Sequence, residues 1–236
     1  MIATRLSRVP PFERGLTLGD FLVPIRLGER AAVWQRNVVM ILVGTALITV
    51  GAYVSFQVPS VAIGGFYLPT DPYVPITLQT FGVLFTGATL GFRRGLASTL
   101  LYLLIGAIGL PVFALKSDGG RSGMDTIATL KDGHLVLGST GGYLLGFVLA
   151  AAIVGRLAEL GWDRNIRGSI FAMLIGSAAI YVVGLPWLAM AVHLDISTTF
   201  QFGLWPFIPG DVVKLLVAAG LLPVGWSLVS RRPHDL

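Results

Sequence analysis

Pro206-Phe207-Ile208-Pro209-Gly210-Asp211-Val212-Val213-Lys214 opens an apolar run that continues to residue 229. About 20 mostly apolar residues suffice to carry a helix across roughly 30 Å of hydrocarbon, so the run predicts a membrane-spanning helix. Asp211 and Lys214 stand three apart at its head, which sets them on one helix face. An ionised side chain at membrane depth costs about 2.5 to 3.5 kcal/mol on insertion scales, so such groups face each other or a polar cavity. The stretch thus points both to a class of fold and to a first candidate site.

The rest of the chain agrees with that class. Mean hydropathy is +0.79, 54% of residues are hydrophobic and only 12% are charged. Six candidate spans follow, near 37–56, 74–92, 95–115, 138–158, 168–192 and 208–229, and they leave no room for a separate soluble domain. The expected architecture is all-α, a six-transmembrane-helix bundle over 37–230 behind an N-terminal extension, 1–36. Pro10, Pro11 and Pro24 bar a continuous helix in that extension, so disorder or loose association with the membrane surface is expected there, with a docking role as the alternative.

Charge placement orients the bundle. Arg5, Arg8, Arg14, Arg26, Arg30 and Arg36 precede span one; Arg93 and Arg94, then Arg156, Arg164 and Arg167, and finally Arg231 and Arg232 occupy alternate connections. The connections after spans one and five hold no Lys or Arg. By the positive-inside rule both termini are cytoplasmic, in a multi-pass protein of the cell membrane, and Asp211 and Lys214 face outside. The net charge of +5 therefore reflects topology and does not suggest nucleic acid.

Other residues gather at the same predicted outer end. Val74-Pro75-Ile76-Thr77-Leu78-Gln79-Thr80-Phe81 begins span two, with Pro75 suited to a first helical turn. Gln79, with two donors and an acceptor, is a better pocket candidate than Thr77 or Thr80, whose hydroxyls often bond their own backbone. In Gly138-Ser139-Thr140-Gly141-Gly142-Tyr143, Ser139 or Thr140 can cap the helix, Gly141 admits close approach of a ligand or neighbour, and Tyr143 offers an aromatic face with a hydroxyl. Phe81, Phe85, Phe147, Trp205 and Phe207 can supply apolar walls. Span one carries Gly44, Thr45, Thr49 and Ala52, small residues that suit close helix packing, either inside the bundle or against a second membrane protein.

Catalytic readings find little support. No Walker A sequence and no His-Glu-x-x-His is present; His134, His193 and His234 fall outside the spans, and no second membrane carboxylate pairs with Asp211. With no Cys, thiolate metal sites and cysteine nucleophiles are excluded. No catalytic residue, metal site or cofactor is assigned to this chain, and a binding or transport role remains.

Five blocks in order carry a resemblance: Val74 to Thr80, Leu90-Gly91-Phe92-Arg93-Arg94-Gly95, Leu101 to Phe113, Gly138 to Leu144 and Pro206 to Lys214. Together they resemble BioY, the biotin-binding membrane subunit of energy-coupling factor transporters, over about residues 37–230. The resemblance implies a six-helix substrate-binding component in which Asp211 and Lys214 contribute to biotin recognition. It also implies a membrane coupling (T) subunit that docks on helix one, where Thr45 and Thr49 stand in what is usually an Ala-x-x-x-Ala pattern, and partner ATPase subunits that use ATP.

Biotin suits the residues chemically: its ureido ring has two N–H donors and a carbonyl, its valerate is anionic and its middle is apolar. Asp211 can accept ureido N–H bonds, and Lys214 can meet the carboxylate or the carbonyl. The expected cycle is capture from outside, closure of the Gln57–Tyr73 connection and a tilt of the bundle driven by the coupling subunit. Two other readings stand beside it: a self-sufficient carrier of biotin or another vitamin, coupled to protons through Asp211, and a membrane scaffold that binds no ligand.

Overall fold

The computed structural model describes residues 16–22, 30–55, 61–63, 66–68, 74–115, 120–131 and 133–230. Within them the chain is mostly helical: α1 (Leu18–Leu22), α2 (Arg30–Tyr53), α3 (Gln79–Ala107), α4 (Gly141–Glu159), α5 (Ile166–Val192), α6 (Ile196–Gly203) and α7 (Ile208–Ser230). Two small antiparallel hairpins qualify the all-α expectation. In one, β1 (Val61–Ile63) pairs with β2 (Phe66–Leu68); in the other, β3 (Ala128–Lys131) pairs with β4 (His134–Leu137), Ala128 opposite Leu137. The expected disorder of residues 1–36 falls largely outside the described residues. So do most of the 57–73 connection with its closure, and Arg231 and Arg232.

Among the described residues, four segments are long and apolar enough to cross a membrane: Val33–Tyr53, Gly141–Glu159, Ile166–Val192 and Ile208–Val229. Between the first two of them, α3 doubles back. Gly91 has φ 80° and ψ −177°, a combination essentially reserved for glycine, and it splits α3 into arms 79–90 and 92–107. A Cβ on Gly95 would lie 2.9 Å from the Gly87 Cα, although a straight helix separates residues eight apart by about 12 Å. Likewise Gln79 Nε2 donates to the Tyr102 hydroxyl at 2.8 Å across the two arms.

Three expectations are corrected here. The first arm begins at Gln79, not 74, because residues 74–78 run along the end of α2, where Leu78 N donates to Val54 O and Thr77 pairs with Ser55. The second arm ends at Ala107, not 115: Gly109 takes φ 114°, and Phe113 folds back beneath Gly106. Thr140 occupies the N-cap of α4 without capping it; its hydroxyl donates instead to Thr126 O at 3.4 Å.

The α3 arms, α4 and α5 share the core, with Ile48, Val83, Ala150, Ala151, Val154 and Ile180 among its buried members. Contacts here are close and the residues small. This is how membrane helices gain van der Waals packing where lipid is as apolar as the protein. The Asp211 ends of α3, α4, α5 and α7 lie together, and the opposite end of the bundle is closed by α1. There Asp20 Oδ1 meets Arg36 at 3.1 Å and Arg94 at 2.8 Å, Phe21 stands edge-on to Trp226 at 5.6 Å, and Leu18 packs beneath Gly225.

Candidate functional site

α7 starts at Ile208 with Pro209 in its first turn, where a missing N–H removes nothing from the helix. Asp211 N donates to Phe207 O at 2.8 Å, and the next turn brings Lys214 onto the same face. Lys214 Nζ then lies 3.0 Å from Asp211 Oδ1 and 3.0 Å from Thr80 Oγ1 on α3. The second carboxylate oxygen, Oδ2, accepts from the Tyr181 hydroxyl of α5. The two charged side chains are only 9% and 13% exposed, so these partners replace the hydrogen bonds to water that burial removes.

The pair forms the polar wall of a cleft of ≈ 240 Å³, counted with its mouth. Thr80 and Ser177 add hydroxyls, while Phe81, Leu84, Met173 and Leu215 make the apolar sides. Lys214 has three donors and uses two among the described residues; Asp211 has about four lone-pair sites and likewise uses two. Both retain capacity for a small ligand that carries donors and an acceptor on an apolar frame.

Of the residues singled out from sequence, Tyr143 and Phe207 join this group. Tyr143 is buried, donates to Gly203 O at 2.8 Å, and lies 6.3 Å edge-on from Tyr181 and 6.4 Å from Phe207. Gln79 and Thr77 lie away from the cleft walls: Gln79 is committed to Tyr102, and its N–H donates to the Thr77 hydroxyl at 3.2 Å. Gly141 packs against Ile127 and Trp187, where a Cβ would come within 2.8 Å of Ile127 O. Thr80, ranked below Gln79 on chemistry, is the α3 residue that reaches Lys214.

Tyr181 was not foreseen. It is the single Tyr of α5, and a half-buried phenol in an apolar helix needs a partner, which was the available signal. On α2, Gly44 faces Ser98 and Thr86, the Thr45 hydroxyl donates to Ile41 O and Ser98 O, and Ala52 is fully buried. These three pack inside the bundle. Thr49, half-buried, stands beside the exposed face of Leu42, Val43 and Val50. Among the described residues no cluster of three or more His, Asp or Glu has the arrangement of a metal site.

Known proteins match this geometry and sequence together. The model of the BioY family matches residues 26–231. "Biotin transporter BioY" of Thermotoga maritima is 35% identical over 185 residues, 78% of this chain and 92% of that protein. The protein of the same name from Rhizobium etli is 34% identical over 201 residues, 81% and 97% of the two chains. Among solved structures, the S-component for biotin from an ECF-type ABC transporter superposes with TM-score 0.65 at 24% identity, over 86% of this chain and all of that one. That likeness speaks for the fold, and the sequence matches carry the assignment: the chain, a multi-pass membrane protein, belongs to the BioY family.

Proposed function

We propose that this chain is the biotin-binding membrane subunit of an energy-coupling factor transporter, crossing the membrane six times with both ends in the cytoplasm. The two arms of α3 supply the second and third passes, which brings the four long apolar segments to six. Arg36, Arg93, Arg94, Arg156, Arg164 and Arg167 then gather on the cytoplasmic side and the Asp211 cleft opens outward.

The observation that carries the reading is the buried Asp211–Lys214 pair, joined to Thr80 and Tyr181 at the wall of an apolar cleft. Asp211 accepts a ureido N–H bond, and the remaining donor of Lys214 meets a biotin oxygen. Tyr143 and Phe207 form the aromatic surround. The ≈ 240 Å³ includes the open mouth, and the enclosed part holds little more than about one water, so helices around it separate to admit biotin. Gln79, Thr77 and Gly141 act one step back, holding the ends of α3 and α4. ATP use belongs to partner ATPase subunits, and a membrane coupling subunit engages the exposed face of α2 near Thr49.

Tritiated-biotin binding to the purified chain tests this. The wild type should bind, and Asp211→Asn and Lys214→Ala should each weaken binding on the order of 30-fold or more, since each leaves a buried partner charge uncompensated. Unimpaired binding in both variants would remove the pair from the site. Concentrative uptake in cells that lack every coupling and ATPase subunit would overturn the dependence on an external engine.

A further inference from the structure

We propose that Tyr181 is a positioning residue for ligand selection: its hydroxyl fixes the plane of the Asp211 carboxylate, so that an unused lone pair faces the cleft and favours a ligand that presents an N–H donor there. This rests on the reading of Asp211 as the acceptor for a ureido N–H group. The terminal torsion of Asp is soft and roughly two-fold, so Lys214 on Oδ1 leaves the carboxylate plane free to turn. Tyr181, reaching Oδ2 from a different helix, supplies the second point that stops it. A phenol donating to a carboxylate is a charge-assisted bond, stronger than a neutral one.

The anchor behind Tyr181 is itself rigid. Its ring meets Tyr143 edge-on at 89°, and Tyr143 is tied by its own hydroxyl to Gly203 O at the end of α6. A Cβ on Gly184, three residues along α5, would fall 2.7 Å from the Tyr143 ring, so α4 and α5 have little freedom to slide here. Ser177, one turn before Tyr181 on α5, lines the cleft while Tyr181 does not. The phenol therefore braces the carboxylate at the rim and leaves the ligand space open. Angular precision of this kind, set by a neighbour outside the pocket, decides how well a site discriminates.

Tyr181→Phe keeps the ring and removes only the donor. Binding of biotin and of an analogue methylated at both ureido nitrogens should be measured on wild type, Tyr181→Phe, Asp211→Asn and the double variant. Tyr181→Phe should weaken biotin about tenfold or more, the scale of a hydrogen bond to a charged group, and leave the methylated analogue unchanged. In the Asp211→Asn background it should have little further effect, a non-additivity expected only if the two residues act as a unit. Equal losses for both ligands, additive losses with Asp211→Asn, no loss, or tighter biotin binding would each overturn the inference. Absence of biotin binding by the wild type would instead overturn the proposed function, and the inference with it.

Discussion

At the residue scale, partners and burial together separate acids of identical chemistry. Asp211 has a cation and a phenol at hand, whereas Asp163, in the turn between α4 and α5, has Trp226 Nε1 on Oδ2 at 2.6 Å and no hydrogen-bond partner on Oδ1 among the described residues. Burial pushes the Asp163 carboxyl from its ordinary 3.8 up to about 6, against the opposing pull of the Trp226 bond and Arg164. A carboxyl raised in this way favours the folded state when protonated. Its contribution is whole below pH 3.8 and is lost as pH rises through about 6. Asp163→Asn keeps an oxygen for Trp226 and cannot ionise. In detergent its stability should fall less than the wild type's between about pH 5 and pH 7.5, by about 1 kcal/mol. Parallel pH profiles would show that Asp163 does not titrate differently on folding.

Asp211 and Lys214 were visible as a pair because spacing in a helix is local information. Their partners were not. Tyr181 is 30 residues from Asp211 and Thr80 is 134 from Lys214, and nothing short of helix packing relates them.

At the element scale, the least expected piece is α1. It lies before the residues that match the family model, yet Thr17, Leu18 and Gly19 are buried and Asp20 stands between Arg36 of α2 and Arg94 of α3. One carboxylate thus holds two poorly exposed guanidinium groups that would otherwise repel. Arg94 also donates to Asn37 at 2.9 Å, and Glu159 accepts from Phe92 N at 2.9 Å beside the Gly91 reversal, so the α3 turn is tied from two sides. Asp20→Ala should lower thermal stability by about 2 kcal/mol, between the values for exposed and fully buried pairs, and should open residues 16–22 to protease. A variant that melts like the wild type and resists protease equally would show that apolar contacts of Leu18 and Phe21 suffice. From sequence, docking stood only as the alternative for this extension, because Pro10, Pro11 and Pro24 bar a long helix but do not say where a five-residue one settles.

At the scale of the whole molecule, the folded-back α3 sets Arg93 and Arg94 beside the Arg156–Arg167 region and leaves Asp195, at the N-cap of α6, near the other end. Hydrogen bonding from the Thr198 side chain, and then from its N–H, holds the Asp195 carboxylate below the usual Asp range. The chain contains no Cys, so single cysteines report cleanly. In intact cells Asp195→Cys should react with a membrane-impermeant maleimide, and Arg167→Cys should react only after permeabilisation. The reverse pattern would invert the proposed orientation and turn the cleft inward.

Composition, the lengths of apolar runs and the alternation of Arg between connections sufficed to call for membrane-spanning helices and to set Asp211 and Lys214 on one face. Each is a property of the chain taken a turn or a span at a time. Only tertiary structure decided which way each helix faces. It turned Gly44, Thr45 and Ala52 into the bundle, gave Gln79 to Tyr102, brought Tyr181 to Asp211 and seated α1 on Arg36 and Arg94. The reason is that a membrane helix is apolar on its lipid side as well as its protein side. No hydrophobic stripe then marks its inner face, and rotation is set by small-residue packing and hydrogen bonds between helices.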